Sequence, residues 1–228
     1  MPHLQLEFSE KEIEQLYRMT ELYPKVKELI LYGEENDPEN RTHLQTINEL
    51  RNAMDHLMRV FAYKFGFKPD ESQDYATKHI DKAFGHVYRA GYDALDWVSI
   101  TLRERIVNEL NGISHEAIAK IFPEYYREIK PELERASEEI SKLRSGKDVA
   151  GHDAHSNSFN NFEQYVAIIG KLRDYLDKVL NIKPSLIEYD EERKKSEQKS
   201  RLFSLLKVII GTIIGTIIGF ALCYFYTS

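Results

Sequence analysis

The longest helical pattern in the chain is SQDYATKHIDKAFGHVYRAGYDALDWVSITLRERIVNEL, residues 72–110. Its apolar residues recur at intervals of three and four, which is typical of one face of an α-helix. The stripe comprises Ile80, Phe84, Val87, Gly91, Leu95, Val98, Leu102 and Ile106, and Asn111-Gly112 predicts the end of the helix.

Helical patterns precede this stretch. Ser9 and Glu12 form a capping box that predicts a first helix, which Pro24 kinks or restarts before a turn-rich connection at 33–40. A second helix is predicted at 41–65 and ends at Gly66 and Pro69. Its predicted core stripe consists of Leu44, Ile47, Leu50, Met54, Leu57, Met58 and Phe61.

Further helical patterns follow it. They predict a short helix that starts at Ser114, a polar helix that bends at Pro131 and reaches Arg144, a loop at 145–158 and a helix at 159–180. Lys183-Pro184 separates the last helix from a charged segment at 184–207. Outside the apolar C-terminal run, no segment alternates as a strand would. The chain therefore predicts an all-α, multi-helix, up-and-down bundle-like domain over residues 1–183.

The composition narrows the class of protein. An apolar fraction of 42% in 228 residues, with 30% charged, excludes a disordered chain and a polytopic membrane protein. The 31 basic residues are outnumbered by 37 acidic ones, so any nucleic-acid contact has to be local. The single cysteine, Cys223, excludes an intramolecular disulfide and a thiolate zinc site.

One run near the C-terminus differs from the rest of the chain. Residues 208–226, VIIGTIIGTIIGFALCYFY, carry no charge, and a helix of that length spans about 28 Å, close to the roughly 30 Å core of a bilayer. Tyr224 and Tyr226 provide an aromatic edge suited to a membrane interface. The run predicts a single transmembrane helix, and the alternative is a buried core helix.

The residues around this run predict its orientation. No apolar stretch of signal-peptide length lies at the N-terminus. Basic residues precede the run at Arg193, Lys194, Lys195, Lys199, Arg201 and Lys207. We therefore expect a tail-anchored protein of the inner or cell membrane, with its N-terminal domain in the cytosol. The basic residues either touch anionic lipid head groups or form a solvated helix face.

Three glycines recur every four residues within the apolar run, at Gly211, Gly215 and Gly219. Small residues at this spacing allow two helix backbones to approach closely in a membrane. We expect the glycines to form a homo-oligomer interface, although glycine is also common in membrane helices.

The second predicted helix contains Glu49-Leu-Arg-Asn-Ala-Met-Asp-His56. This segment resembles the HEPN superfamily (higher eukaryotes and prokaryotes nucleotide-binding), whose ribonucleases carry an arginine, often a polar residue after it, and a histidine four to six residues further on. The resemblance implies a helical bundle, a dimer and metal-independent RNA cleavage. The implied catalytic residues are Arg51, Asn52 and His56, and no cofactor or metal is implied. The alternative is a structural Arg51–Asp55 pair, with His56 on the solvated side.

The residue types fit the chemistry of RNA cleavage without a metal. Such cleavage needs a base at the 2′-OH and a cation at the phosphorane. His56 moves protons near neutral pH, and Arg51 can hold a phosphate through two hydrogen bonds. Residues five apart lie about 140° apart around a helix, so a symmetric dimer would supply the groups that one chain lacks.

Two other groups of polar residues qualify as sites. His79, His86 and Asp93 recur every seven residues on the third helix, and they either line the same cleft as His56 or form a solvated face. The segment GHDAH at 151–155 contains His152 and His155, which are either metal ligands or loop residues in solvent.

Three classes of function remain open. The first is a membrane-anchored effector that cleaves RNA, similar to antiviral or toxin proteins of the HEPN group in prokaryotes. The second is a non-catalytic, pore-like oligomer that perturbs the membrane through its glycine-rich helix. The third is a membrane adaptor. The expected partners are membrane lipid, further copies of the chain and RNA, with an unknown trigger.

Overall fold

The structure, a computed structural model, describes residues 7–38, 42–68, 71–144 and 157–227. These residues form six α-helices and no strand, which confirms the predicted all-α class. The helices are α1 (Glu10–Asn36), α2 (Leu44–Lys64), α3 (Tyr75–Asn108), α4 (His115–Ile121), α5 (Lys130–Arg144) and α6 (Asn157–Thr227). A π-helical turn, Tyr125–Ile129, leads into α5 just before Pro131, whose missing N–H favours such an irregular turn.

Helix α3 forms the centre of the bundle. Twenty of its 34 residues are buried, because α1 and α2 cover one side and α6 covers another. The predicted stripe on α3 lies in the core. The apolar residues of α6 that face it include Phe162, Ile169, Leu172, Leu176 and Val179. Five further buried positions of α3 are alanine or glycine, so neighbours can approach its backbone there, and Tyr88 and Tyr92 are among its largest buried side chains.

The helices that pack on α3 alternate in direction. Helices α1 and α6 run parallel to α3, because residues later in each helix contact residues later in α3. Helices α2 and α5 run in the opposite direction. The pairs that establish this are Glu12–Thr77 and Asn36–Arg105 for α1, Glu49–Arg89 and His56–His79 for α2, and Tyr165–Ser99 and Lys183–Glu109 for α6. For α5, Glu124 just before it contacts Lys178, while Arg144 at its end contacts Asp96, the partner of Tyr165, so α5 runs opposite to α6. The up-and-down arrangement is therefore confirmed.

Two predicted helix breaks do not occur. Helix α1 continues through Pro24 and past Gly33 to Asn36, and α6 continues through Pro184 as one helix of 71 residues. In both cases buried side chains flank the proline, for example Val179 and Leu186 around Pro184. Packing on both sides of a proline offsets the single hydrogen bond that it removes.

The predicted core stripe of α2 is wrong at four of its seven positions, whereas Leu50 and Leu57 are half-buried and pack against the core. Leu44, Ile47, Met54 and Met58 are all exposed, with 71%, 40%, 55% and 46% of their surface accessible. The residues of α2 that are buried are Thr46, Ala53 and Val60. Helix α2 thus turns a narrow edge of small and polar residues toward α3, and its wider apolar side faces outward.

The C-terminal part of α6 is long and apolar enough to cross a membrane. An 18-residue apolar window lies within its Asn160–Gly219 portion, and none of that window is buried. The packed bundle reaches beyond residue 183, because Leu186 is buried and Arg193 pairs with Glu116 at 2.5 Å. Beyond Arg193 the described side chains of α6 are exposed.

The close packing at Gly91 provides a test of the fold. A Cβ added at Gly91 would lie 2.7 Å from Phe162 and 3.0 Å from Val26, so Gly91→Ala should lower the free energy of unfolding by about 1–2 kcal/mol. The matched control is Gly170→Ala on α6, where an added Cβ meets nothing within 4 Å. That change should raise stability by up to about 1 kcal/mol. Thermal unfolding followed by circular dichroism gives both values, and equal stabilisation by both variants would contradict the packing.

Candidate active site

The antiparallel packing of α2 on α3 brings three histidines together. His79 and His86 lie two turns apart on one face of α3, and His56 projects from α2 between them. Nδ1 of His56 lies 2.7 Å from Nδ1 of His79. The ring of His56 also stacks on that of His86, with centroids 5.2 Å apart and planes 20° apart. We call these three residues the histidine cluster.

A carboxylate and a guanidinium fix one side of the histidine cluster. Oε2 of Glu49 accepts hydrogen bonds from Nδ1 of His86 at 2.7 Å and from Nε of Arg89 at 3.0 Å. Nη2 of Arg89 also lies 2.7 Å from Nδ1 of His86. Because that nitrogen carries a single hydrogen and donates it to Glu49, the Arg89 contact is not a second hydrogen bond. Burial favours the protonated acid, but the hydrogen bonds from His86 and Arg89 outweigh it and lower the pKa of Glu49.

The surroundings of the cluster keep two of its rings neutral. Burial and the neighbouring His79, His86 and Lys82 lower the pKa of His56 to about 4. Burial and the nearby cations Lys82 and Arg59 also lower the pKa of His79. At pH 7, therefore, His56 is a neutral imidazole, which can accept a proton but does not act as an acid.

The predicted site residues lie in different places. His56 and Asn52 are half-buried, and both lie on the side of α2 that carries Glu49. Arg51 is exposed and makes no hydrogen bond or ion pair with any described residue. It also lies about 140° around the helix from His56. The structure therefore brings His56 to other histidines and not to Arg51 of the same chain.

The structural alternative for this motif is wrong. Asp55 pairs with Arg59 at 2.8 Å, not with Arg51, and His56 does not lie on a solvated face.

The polar line on α3 faces α2. His79 and Asp93 are 9% and 6% exposed, so the solvated-face interpretation is wrong and the expectation that the line flanks His56 is confirmed for His79 and His86. The sequence places Arg89 alongside this line as an extra cation for the cleft, but sequence reasoning did not assign Glu49 to the site. The signal was available, because Glu49 and His56 are also seven residues apart and match the seven-residue spacing on α3.

No metal site emerges from the described residues. Within residues 7–38, 42–68, 71–144 and 157–227, no group of three or more His, Cys, Asp or Glu side chains is arranged to hold a metal ion. His152 and His155, considered as metal ligands, lie outside the described residues.

Comparison with known proteins adds no relative. No family model matches the chain, and neither a curated protein nor a solved structure matches it.

The neutral histidines predict a pH dependence of stability. A histidine in the unfolded chain titrates near pH 6.5, whereas folded His56 titrates at about 4. Between these values the unfolded chain binds more protons, so the free energy of unfolding should fall as the pH drops from 7 to 5. His56→Gln should make this decline shallower in chemical unfolding. His115→Gln, which changes an exposed histidine outside the cluster, should keep the wild-type slope. Equal slopes for all three proteins would contradict the assigned protonation states.

Proposed function

We propose that this protein is a membrane-anchored helical effector whose bundle cleaves RNA without a metal ion, of the HEPN-like prokaryotic antiviral or toxin type. The observation that carries the proposal is the histidine cluster, in which a neutral His56 lies beside a second neutral imidazole and within reach of the Glu49–Arg89 pair. An unprotonated imidazole close to a cation can accept the proton of a 2′-OH that attacks its own phosphate. Its pKa of about 4, well below the near-neutral value expected from the sequence, makes His56 a weaker base than an ordinary histidine.

Each predicted residue has a chemical role in this proposal. His56 removes the proton of the 2′-OH. Asn52, half-buried on the same side of α2, donates a hydrogen bond to the phosphate. Arg51 and Arg89 are the cations available to the phosphorane, and Arg51 is exposed without a competing carboxylate.

The exposed apolar residues on the outward side of α2 support the pairing of two copies of the chain. Ile47, Met54 and Met58 are exposed there, on the same side of the helix as Arg51. Met54 also lines a groove of about 480 Å³ between α1 and α2, whose other apolar lining residues include Met19, Tyr23 and Leu57. Such a patch on a soluble domain is costly to leave in water, so its burial against a second copy supports a dimer that places Arg51 at the interface.

The C-terminal part of α6 acts as the anchor in this proposal, with the bundle in the cytosol. Some of the basic residues before the apolar run are already engaged, because Arg193 pairs with Glu116 and Lys194 with Asp190. The exposed cations that remain are Lys195, Lys199, Arg201 and Lys207. They lie closest to the apolar run, where anionic head groups attract basic side chains at about 1 kcal/mol per residue.

A second candidate function is a pore-like oligomer that perturbs the membrane. This candidate is favoured by the open space around Gly211, Gly215 and Gly219, where an added Cβ meets nothing within 4 Å. The isoleucines around them are likewise exposed. In a membrane, a helix surface of this kind allows another helix to pack closely against it.

The ribonuclease proposal predicts cleavage of single-stranded RNA by the purified protein in the presence of a chelator. The product should carry a 2′,3′-cyclic phosphate, because only attack by the internal 2′-OH gives that end. His56→Ala and Arg51→Ala should each reduce the rate by about 100-fold or more, while His115→Ala should leave it unchanged. Helical content and oligomer mass serve as folding controls. Intact RNA after incubation with folded, assembled wild type, even with extract of infected cells added as a trigger, would refute the proposal.

The second candidate predicts dye release from anionic lipid vesicles that contain the full chain. Gly215→Leu should hold neighbouring helices apart, so release should be lost and the mass of the detergent-solubilised protein by light scattering should decrease. Ile214→Leu, a change of similar size beside the glycine, should keep both properties. If Gly215→Leu and wild type have the same mass and the same release, the glycines are not an interface.

A further inference from the structure

The closest contact within the histidine cluster joins two nitrogens of the same kind. Nδ1 of His56 and Nδ1 of His79 are 2.7 Å apart, a hydrogen-bond distance. Two neutral imidazoles make this bond only if one Nδ1 carries a hydrogen and the other carries a lone pair. The two rings are therefore held in opposite tautomers. In one ring, Nε2 has a lone pair and can act as a base, and in the other ring, Nε2 carries a hydrogen.

Accessibility indicates which ring is the base. His56 is half-buried and lies at the edge of the helix pair, whereas His79 is 9% exposed and its ring packs on Tyr75 with centroids 4.4 Å apart. A substrate can reach Nε2 of His56 more readily than that of His79. For this Nε2 to be bare, Nδ1 of His56 must donate its hydrogen to Nδ1 of His79.

We infer that His79 is the positioning residue of the proposed ribonuclease site: it fixes the tautomer of His56 and shares the proton that His56 removes from RNA. This inference rests on the proposed function. Its distinctive claim is that the second imidazole needed for proton transfer comes from the same chain as His56.

The reaction balances with water as the only co-reactant. The 2′-OH proton moves to Nε2 of His56, the 2′-oxygen forms a bond to phosphorus, and the bond from phosphorus to the 5′-oxygen breaks. The Nδ1 proton of His56 shifts to Nδ1 of His79, so the positive charge is shared by both rings. Water gives a proton to the leaving 5′-oxygen, and the resulting hydroxide takes the proton that the pair releases. Both rings return to their starting tautomers.

Charged groups around the pair explain why a shared proton is an advantage. Lys82 on α3 disfavours a full charge on both rings, and Asp55 favours it on both. Arg59 on α2 and Lys68 in the connection disfavour a charge on His79 as well. The neighbouring His86 disfavours a charge on His56 as well. Spreading the charge over a short N–H···N bond lowers the electrostatic cost of accepting a proton in this setting.

The test compares the full-length wild type with His79→Gln in detergent. A glutamine side chain can still accept the hydrogen from Nδ1 of His56, but it cannot take the proton. We expect kcat to fall about 10- to 100-fold with KM unchanged, because His79 does not touch the substrate. The proton inventory in mixed H₂O and D₂O should change from curved, with two protons in motion, to linear. The acid limb of the pH–rate profile should shift upward as the neighbouring imidazole is removed. His115→Gln is the control and should match wild type in all three measurements.

Separate outcomes identify separate failures. Wild type that does not cleave RNA refutes the proposed function and the positioning role of His79 with it. Active His79→Gln with an unchanged kcat and a curved inventory refutes only the proton-sharing role. If His79→Gln does not fold, the tautomer of His56 is measured instead, by ¹⁵N NMR of histidine-labelled wild type at pH 7. The His56 signals are assigned as those that disappear in His56→Gln. A hydrogen at Nδ1 of His56 supports the inference, and a hydrogen at Nε2 with a bare Nδ1 overturns it.

Discussion

The burial of α3 on several sides is the constraint on which the rest of the structure depends. Its backbone is approached within van der Waals distance at Gly91, where Val26 of α1 and Phe162 of α6 both lie against the position of the missing side chain. Trp97 of α3 fills the corresponding space at Gly33 of α1. These contacts fix the axial positions of α1 and α6 along α3. The axial position of α2 follows from its antiparallel pairing with the same helix. A shift of one turn in that pairing would separate His56 from His79, so the geometry of the candidate site is a consequence of the register of the bundle.

The sequence predicted the core residues of α3 and α6 better than those of α2. Helix α3 is buried on several sides, so almost any orientation buries its apolar stripe. Helix α6 has a single apolar stripe within the bundle, and that stripe is the face that packs on the core. Helix α2 carries apolar residues on two sides, and the pattern alone does not decide which side faces inward. The side with Thr46, Ala53 and Val60 packs on α3 because small residues allow the close approach that brings Glu49 and His56 into contact with it. Pro24 and Pro184 were overestimated as breaks for a related reason, since tertiary packing offsets a local loss.

The candidate site was predictable in part. The motif identified His56, and the seven-residue spacing identified His79 and His86 as a line, since both signals lie within one helix. The contacts between the two helices join residues 23 to 40 positions apart and depend on a register that no local pattern encodes. Arg51 and His56 show the opposite case, because a spacing of five residues places their side chains on different sides of the helix. They can act on one phosphate only if Arg51 extends around the helix or if each comes from a different copy of the chain.

The continuity of α6 relates the candidate site to the proposed anchor. Helices α3 and α6 run in the same direction, and their last polar contact joins Glu109 to Lys183, so the membrane side of the bundle is the end at which α3 finishes. His86 lies 23 residues before Glu109, or about 35 Å further from the membrane at the rise of an α-helix. Between Arg193 and residue 208 the exposed part of α6 adds roughly 22 Å. If the apolar part of α6 is the anchor proposed above, the histidine cluster would lie well beyond the head groups, where a long polyanion such as RNA would approach without repulsion from anionic lipid. An anchor of this kind concentrates the protein at the membrane and favours the pairing of copies in two dimensions, yet leaves the proposed site open to substrates in solution.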